Sequence, residues 1–100
     1  MEEDLMAVAV EQNFPGATLE QYDAVIEAMD AGPAGSPHFG GALFHWAAVT
    51  GDGFRVVDVW ETREQFERFA QEQIVPNVQK VGLREPETRF TDIHNYYVGG

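Results

Sequence analysis

The sequence predicts a single α+β domain in which a four-stranded antiparallel sheet packs against two helices. Three observations lead to this class. Apolar residues alternate with other residues in four short segments, and in two further segments apolar residues recur at helical spacing. Stretches rich in glycine and proline separate the segments. A hydrophobic content of 44% in 100 residues provides for one core rather than two. We expect the domain to cover residues 1–100, with residues 1–5 as a flexible lead-in.

The first part of the chain predicts a strand followed by a helix. Over residues 5–11, larger apolar residues alternate with alanines, so both faces are apolar, as in a central strand that is covered on both sides. Thr18 and Gln21 have the spacing of a capping box, which begins a helix predicted to end near residue 31. The apolar residues of this helix recur at helical spacing and share one face: Leu19, Tyr22, Val25, Ile26 and Met29.

A long loop and a hairpin are predicted next. Residues 32–41 are rich in glycine and proline, which exclude a regular element there. Residues 42–50 and 54–60 have the composition and alternation of strands. The Gly-Asp-Gly sequence at 51–53 lies between them and favours a tight hairpin, since an Asp-Gly pair readily adopts the positive φ that such turns need.

A second helix and a last strand complete the predicted order. Thr62 and Gln65 repeat the capping box, and paired phenylalanines supply the apolar stripe of the helix that follows. This helix is predicted to extend to about residue 73, after which Pro76 breaks or kinks it. Residues 88–98 form the last predicted strand.

The order β-α-β-β-α-β limits the topology. Each strand–helix–strand unit prefers a right-handed crossover, and a ferredoxin-like sandwich with both helices on one sheet face satisfies two such units at once. The other sheet face then carries one of two alternate sets of side chains, neither of them fully polar. For the second strand these sets are Leu43, His45, Ala47 and Val49, or Phe44, Trp46 and Ala48. Because an exposed apolar face usually marks an interface, we expect a second copy to cover it, which gives a homodimeric α/β barrel.

Composition excludes several classes of protein. The 17 acidic and 6 basic residues give a formal net charge of −11, which repels phosphate backbones and anionic lipids, so neither nucleic acid nor membrane is an expected partner. The absence of cysteine excludes disulfides, thiolate catalysis and cysteine-ligated zinc. No apolar run approaches the ~20 residues of a membrane helix, and the acidic N-terminus is unlike a signal peptide, so we expect a cytoplasmic protein.

His45 and Asp58 lie on the two arms of the predicted hairpin. A loop at Gly51-Asp52 places them directly opposite each other, and a loop at Asp52-Gly53 leaves them diagonal on the same face. A three-residue loop instead separates them onto opposite faces. A carboxylate that orients a histidine suits general-base chemistry. The alternative is that His45 is a hydrogen-bonded sheet histidine or an interface residue.

The end of the last predicted strand supplies further candidates. His94 and Tyr96 share one face of that strand, and Asn95 lies on the other. We expect His94 to be the preferred base, with Tyr96 and Asn95 stabilising or orienting an oxyanion, although a regular strand cannot point both into one pocket. Trp60 is a candidate pocket wall or a core residue. His38, in the glycine- and proline-rich loop, is a candidate lid residue or simply a solvated one.

Three stretches of the chain carry a resemblance to known proteins: residues 44–45, residues 54–69 and residues 94–96. The most specific feature is a strand that ends in Trp-Glu-Thr, at residues 60–62, followed by a helix with paired phenylalanines. Together these stretches resemble the dimeric α/β-barrel superfamily, and within it the small proteins grouped with the antibiotic-biosynthesis monooxygenases. The likeness covers residues 6–97.

The resemblance implies a pocket lined by the sheet and the helices of each protomer. In the monooxygenase branch, activated phenolic substrates react with oxygen without metal or flavin. The superfamily also contains isomerases, cyclases, haem-degrading enzymes and proteins with no known activity, so fold alone does not fix function. The haem-degrading branch relies on a histidine in the second helix, and residues 62–73 contain none.

We therefore expect a homodimeric enzyme that removes a proton from a small apolar or aromatic molecule with a phenolic or enolisable group, and then oxygenates it. No cofactor is expected. His45, Asp58 and His94 would make a two-histidine, one-carboxylate metal set, but no ligand-spacing motif accompanies them, so no metal is expected either. The alternatives are an isomerase or cyclase of the same fold, or a non-catalytic ligand-binding or assembly module.

Overall fold

A computed structural model describes residues 7–29 and 42–95 of the chain. In chain order the elements are β1 (Val8–Pro15), α1 (Leu19–Ala28), β2 (Phe44–Thr50), β3 (Gly53–Trp60), α2 (Arg63–Phe69), a π-helical turn (Ala70–Ile74), α3 (Val75–Val81) and β4 (Glu87–Asp92). The strands form one antiparallel sheet in the order β2-β3-β1-β4. The predicted α+β, ferredoxin-like fold is thus confirmed, with α2, the π turn and α3 together in the place of the second helix.

Both predicted capping boxes are present and explain where the helices begin. The Thr18 hydroxyl accepts from the Gln21 backbone N–H at 3.2 Å, and the Gln21 side chain accepts from the Thr18 N–H at 2.9 Å. Thr62 and Gln65 repeat the pair of bonds at 3.1 and 3.2 Å. Each box satisfies two backbone donors that the first turn of a helix leaves without an intrahelical partner.

The second helical segment is irregular, as Pro76 predicts, but its irregularity lies before the proline. A π-helical turn occupies Ala70–Ile74 and leads without a break into α3, which contains Pro76. The missing N–H and the ring of Pro76 disturb the regular hydrogen bonding of the turn that precedes it, which is where the helix departs from α geometry. The segment ends at Gly82, whose φ of 88° few other residues adopt. Within the described part of the chain, no helix has the length and apolar character needed to cross a membrane.

Two predicted strand boundaries are wrong. Strand β1 extends to Pro15 rather than ending near residue 11, because it pairs with β3 along its whole length. Strand β4 ends at Asp92 rather than near residue 98. Its register explains this: Asp92 faces Val8, the first residue of β1, so the partner strand ends there. Residues 1–6, 30–41 and 96–100 lie outside the described part of the chain.

The structure also decides which sheet face the helices cover, a choice that the sequence left open. The helices pack on the face that carries His45 and Val56, and the core lies between them and this face. On the opposite face Phe44 and Trp46 remain 49% and 40% exposed. The core cluster consists of Val8, Val10, Phe14, Ala17, Val25, Phe54, Val56, Trp60, Phe66, Phe69, Ile74 and Val78.

Candidate active site

The β2–β3 hairpin places a histidine and a carboxylate side by side. Thr50 pairs with Gly53, so the loop is Gly51-Asp52, and His45 pairs directly with Asp58. This is the first of the registers considered from the sequence. Gly53 helps to fix it, because a Cβ there would lie 2.0 Å from the Phe14 carbonyl oxygen, so only glycine allows β1 to approach at this point.

A chain of hydrogen bonds runs through this pair. His45 Nδ1 lies 2.5 Å from Asp58 Oδ1, and His45 Nε2 lies 2.8 Å from the Tyr22 hydroxyl. The Trp60 indole N–H donates to Asp58 Oδ2 at a longer 3.4 Å. Asp58 is only 2% exposed, so this carboxylate is held in the core by its partners.

The partners of His45 define its tautomer. An ionised Asp58 only accepts hydrogen bonds, so Nδ1 carries the ring proton and donates it to Asp58. Nε2 then presents its lone pair and accepts from the Tyr22 hydroxyl. Histidine in this state is a proton acceptor whose imidazolium form would lie beside a negative charge, which is the arrangement that general-base chemistry requires.

Tyr22 comes from the apolar face of α1 and lies against the sheet. Its ring packs edge-on against Phe54, with centroids 5.5 Å apart, and lies almost parallel to the His45 ring at 6.3 Å. Burial raises the pKa of the Tyr22 phenol above 10.0, and the nearby charges of Asp58 and Asp23 raise that pKa further. The phenol therefore stays protonated at neutral pH and donates to His45.

A small cavity of about 40 Å³ adjoins this array. Its polar lining consists of Gln12, Tyr22, His45 and Asp58, and apolar side chains of the core form the rest of its wall. The arrangement combines a proton acceptor, a hydroxyl that contacts it and an apolar enclosure, which are the components of a site for proton transfer to or from an organic molecule.

The other residues predicted for the site lie elsewhere or outside the described chain. His94 and Asn95 follow the end of β4, are exposed, and do not line the cavity beside His45. Trp60 is a core residue with no exposed surface, and it reaches the site only through its bond to Asp58. Tyr96 and His38 belong to the parts of the chain that are not described. The catalytic and binding roles assigned from the sequence stay predictions.

Two polar residues of the cavity were not singled out from the sequence. Tyr22 belongs to the apolar stripe of its helix, and the signal was that a buried tyrosine hydroxyl needs a hydrogen-bond partner. Gln12 follows Val8 and Val10 on the covered face of β1, where a polar residue interrupts an apolar set. Across residues 7–29 and 42–95, no three histidine, aspartate or glutamate side chains converge on a metal-binding position.

Comparison with known proteins identifies the fold. No protein-family model and no curated protein matches the sequence. Several solved structures match with probability 1.00. A protein of unknown function from Nitrosomonas europaea, NE2512, superposes with a TM-score of 0.70 over 97% of this chain and 98% of its own, at 14% identity.

Two further matches have named activities. A predicted antibiotic biosynthesis monooxygenase from Chloroflexus aurantiacus J-10-fl has a TM-score of 0.58 over 94% of this chain and 99% of its own, at 19% identity. SnoaB, a cofactor-independent oxygenase from Streptomyces nogalater, has a TM-score of 0.59 over 91% of this chain and 95% of its own, at 16% identity. The resemblance to antibiotic-biosynthesis monooxygenases inferred from the sequence is therefore confirmed at the level of the fold.

Proposed function

We propose that this protein is a cofactor-independent oxygenase that takes a proton from an enolisable or phenolic organic molecule, with His45 as the general base. The observation that carries the proposal is the Tyr22–His45–Asp58 array in the wall of an apolar cavity. The oxygenase activity named for SnoaB, which shares the fold, supports the choice of oxygen as the second reactant.

The position of Tyr22 makes it the relay between cavity and base. Its hydroxyl lines the cavity and already donates to His45 Nε2. A substrate proton passes to the Tyr22 oxygen as the Tyr22 proton moves to Nε2, and the new imidazolium lies beside the Asp58 carboxylate. Because the pKa of Tyr22 is raised, a free tyrosinate is unfavourable, and the two transfers are coupled.

The proposed oxygenation needs no external reductant. Deprotonation of an acidic CH₂ group leaves an enolate, which gives two electrons to O₂ and forms a C–O bond as a hydroperoxide. The imidazolium of His45 protonates the peroxide anion to give this hydroperoxide. Neutral His45, through Tyr22, then takes the second hydrogen of the former CH₂ group as a proton while the O–O bond breaks, and the departing hydroxide takes up that proton to leave as water. One oxygen atom enters the product and the other leaves as water, so CH₂ and O₂ become C=O and H₂O.

The geometry favours His45 over His94 as the base. His45 contacts both the relay hydroxyl and the buried carboxylate, and it lines the cavity. His94 lies beyond the last residue of β4 and is exposed to solvent. The apolar wall of the cavity removes much of the water around a group that lies beside His45, and an exposed histidine has no such surroundings.

Oxygen uptake tests the proposal. We expect the protein to consume O₂ with 1-phenylbutane-1,3-dione, which has an acidic CH₂ group, and ¹⁸O₂ to place one labelled oxygen in the product. His45→Gln should lower the rate about 100-fold or more, because the base contributes that much to proton transfer. His94→Gln is the matched variant and should leave the rate within about twofold of the wild type.

The outcome of that comparison separates the alternatives. A loss of rate in His94→Gln, with His45→Gln unaffected, would contradict the assignment of the base. Substrate deuterium exchange without oxygen uptake would identify an isomerase or cyclase instead. The absence of both reactions, with ligand binding retained, would identify a non-catalytic binding module.

The open sheet face supports a homodimer as the working unit. Phe44 and Trp46 expose large apolar surface on it, and their cross-strand partners Val59 and Val57 lie on the same face. A second copy related by a two-fold axis would cover this face. Light scattering should give twice the chain mass of 11.2 kDa, and Trp46→Glu should give the mass of one chain.

A further inference from the structure

A second and larger cavity lies next to the one beside His45. It has a volume of about 360 Å³ and lies between the second helical segment and strands β1 and β4. Its wall is mainly apolar, with Ala70 from the π turn and Phe90 from β4. The two cavities adjoin, because four residues line both of them: Gln12, Ile74, Val78 and Leu83.

The two volumes suit different parts of one molecule. A water-sized group needs about 10–15 Å³ by this measure, so the 40 Å³ beside His45 holds about three non-hydrogen atoms. That is enough for a reacting group but not for a ring system. The 360 Å³ cavity falls in the range of about 300–1,000 Å³ that is usual for ligand pockets. Of these two cavities, only the larger has room for the apolar body of a substrate.

Gln12 lies at the junction of the two cavities and has no hydrogen-bond partner within residues 7–29 and 42–95. It is 6% exposed and lines both cavities. The other buried polar residue in the described chain, Asp58, is bonded to His45 and Trp60. No fully enclosed side-chain polar atom in the described chain lacks a partner, so the Gln12 amide keeps contact with the cavity space. A polar group at the junction of two largely apolar cavities points to a ligand that hydrogen-bonds it there.

The π turn that borders the larger cavity supports this interpretation. Ala70 begins the turn and lines the larger cavity, and Ile74 ends it and lines both cavities. A π turn inserts a residue into a helix at a cost in hydrogen-bond geometry, and such turns are frequent at functional sites. Here the small side chain of Ala70 leaves part of the larger cavity empty.

We propose that the two cavities form one binding site for a neutral, elongated and largely apolar molecule. Its slim end carries the reacting group to His45, its body fills the larger cavity, and the Gln12 amide hydrogen-bonds a carbonyl or hydroxyl oxygen between the two. The net charge of −11 and the presence of Glu85 in the wall of the larger cavity disfavour carboxylates. This proposal deepens the proposed function. It rests on that function only in assigning which end of the ligand faces His45.

Calorimetric titration with 2-alkanones, from 2-butanone to 2-nonanone, tests the shared site. These ketones are neutral and slim at the carbonyl end, and under argon they undergo no oxygenation. In the wild type we expect the Kd to fall about fourfold for each added methylene, as the chain extends into the larger cavity. A Kd that does not change with chain length would overturn the proposal.

Filling the larger cavity should remove this dependence. Ala70→Phe should leave the Kd of 2-butanone within about twofold and weaken 2-nonanone by about tenfold or more, because the added ring takes the place of the alkyl chain. Ala24→Phe, at an exposed position of α1, is the matched control and should leave the whole series unchanged. If Ala70→Phe and Ala24→Phe change the Kd values of the ketone series equally, the alkyl chain does not bind in the larger cavity.

Replacing the amide tests the role of Gln12. Gln12→Leu should weaken every ketone by about three- to tenfold, because each loses the same hydrogen bond. Gln71→Leu, at an exposed position, is the control. Unchanged ketone affinity in Gln12→Leu would overturn this assignment, and the Ala70→Phe series decides on the cavity even if Gln12→Leu does not fold.

These results are separable from those of the oxygenase test. We expect His45→Gln to keep the dependence of Kd on chain length while it loses oxygen uptake. Ketone binding without oxygen uptake by the wild type would uphold the shared site and reject the oxygenase. Oxygen uptake without a dependence on chain length would do the reverse.

Discussion

The two faces of the sheet depart from the usual distribution of polar and apolar residues in opposite ways. The covered face carries Gln12, His45 and Asp58 within the core, whereas the open face exposes Phe44 and Trp46 to solvent. Both features are costly for an isolated protomer, since buried polar groups lose hydration and exposed aromatic rings retain an unfavourable contact with water. The proposed function gives the two faces different roles, proton transfer on the covered face and association of two copies on the open one.

The two faces can be compared directly at strand β3, because on each face a residue of β3 forms a polar pair with a neighbouring strand. On the covered face Asp58 bonds His45 at 2.5 Å and is 2% exposed. On the open face Arg55 donates to Asn13 at 2.8 Å and lies 3.7 Å from Glu11, with 43% of its side chain exposed. The tryptophans give a second matched pair, Trp60 in the core and Trp46 on the open face.

The largest expected difference is between the two tryptophans. Trp60→Ala should lower the free energy of unfolding by about 4 kcal/mol, since a fully buried ring packed against Phe66 and Phe69 is lost. Trp46→Ala should act through association, so its effect on the urea midpoint should depend on protein concentration. If Trp46→Ala shifts the urea midpoint equally at all protein concentrations, the open face has no role in association.

The polar pairs should differ by a smaller amount. Asp58→Ala should cost about 3 kcal/mol of stability, because it leaves His45 and the Trp60 N–H without their buried acceptor. Arg55→Ala should cost less than about 1 kcal/mol, since its ion pair is partly exposed. Urea unfolding of both variants measures the two values. Equal losses would show that Asp58 is not the buried centre of the site.

The smallest effect concerns alkaline pH. The pKa of Tyr22 is raised in the folded state, so the unfolded state loses its phenolic proton first as the pH rises through 10. Stability from this group is therefore present below pH 10 and is lost above it. The stability of Tyr22→Phe should fall less steeply with pH above 10 than that of the wild type. Its absorbance titration at 295 nm should lack one tyrosine step that lies above pH 10 in the wild type. An unchanged titration would contradict the burial of Tyr22.

The sequence predicted those features of the fold and site that depend on local patterns. The two capping boxes, the order of elements and the hairpin loop are encoded in residues close together in the chain, and all are confirmed. The pairing of His45 with Asp58 was among the predicted registers, because the side chains of a strand alternate strictly and a two-residue loop fixes their phase.

Features that depend on distant parts of the chain were not predictable in this way. The face that the helices cover was undecided, because both alternate sets of β2 are mixed in polarity. The approach of Tyr22 to His45 depends on how α1 packs across the sheet, and the junction position of Gln12 depends on two cavities that form only in the folded protein. The location of His94 depends on where β1 ends as a partner for β4.

The most direct test of the central claim measures proton abstraction alone, without oxygen. Proton NMR in D₂O under argon follows deuterium exchange next to the carbonyl of 2-heptanone. We expect the wild type to accelerate this exchange, His45→Gln to reduce the acceleration about 100-fold or more, and His94→Gln to retain it. Exchange that is as fast with His45→Gln as with the wild type would contradict the account.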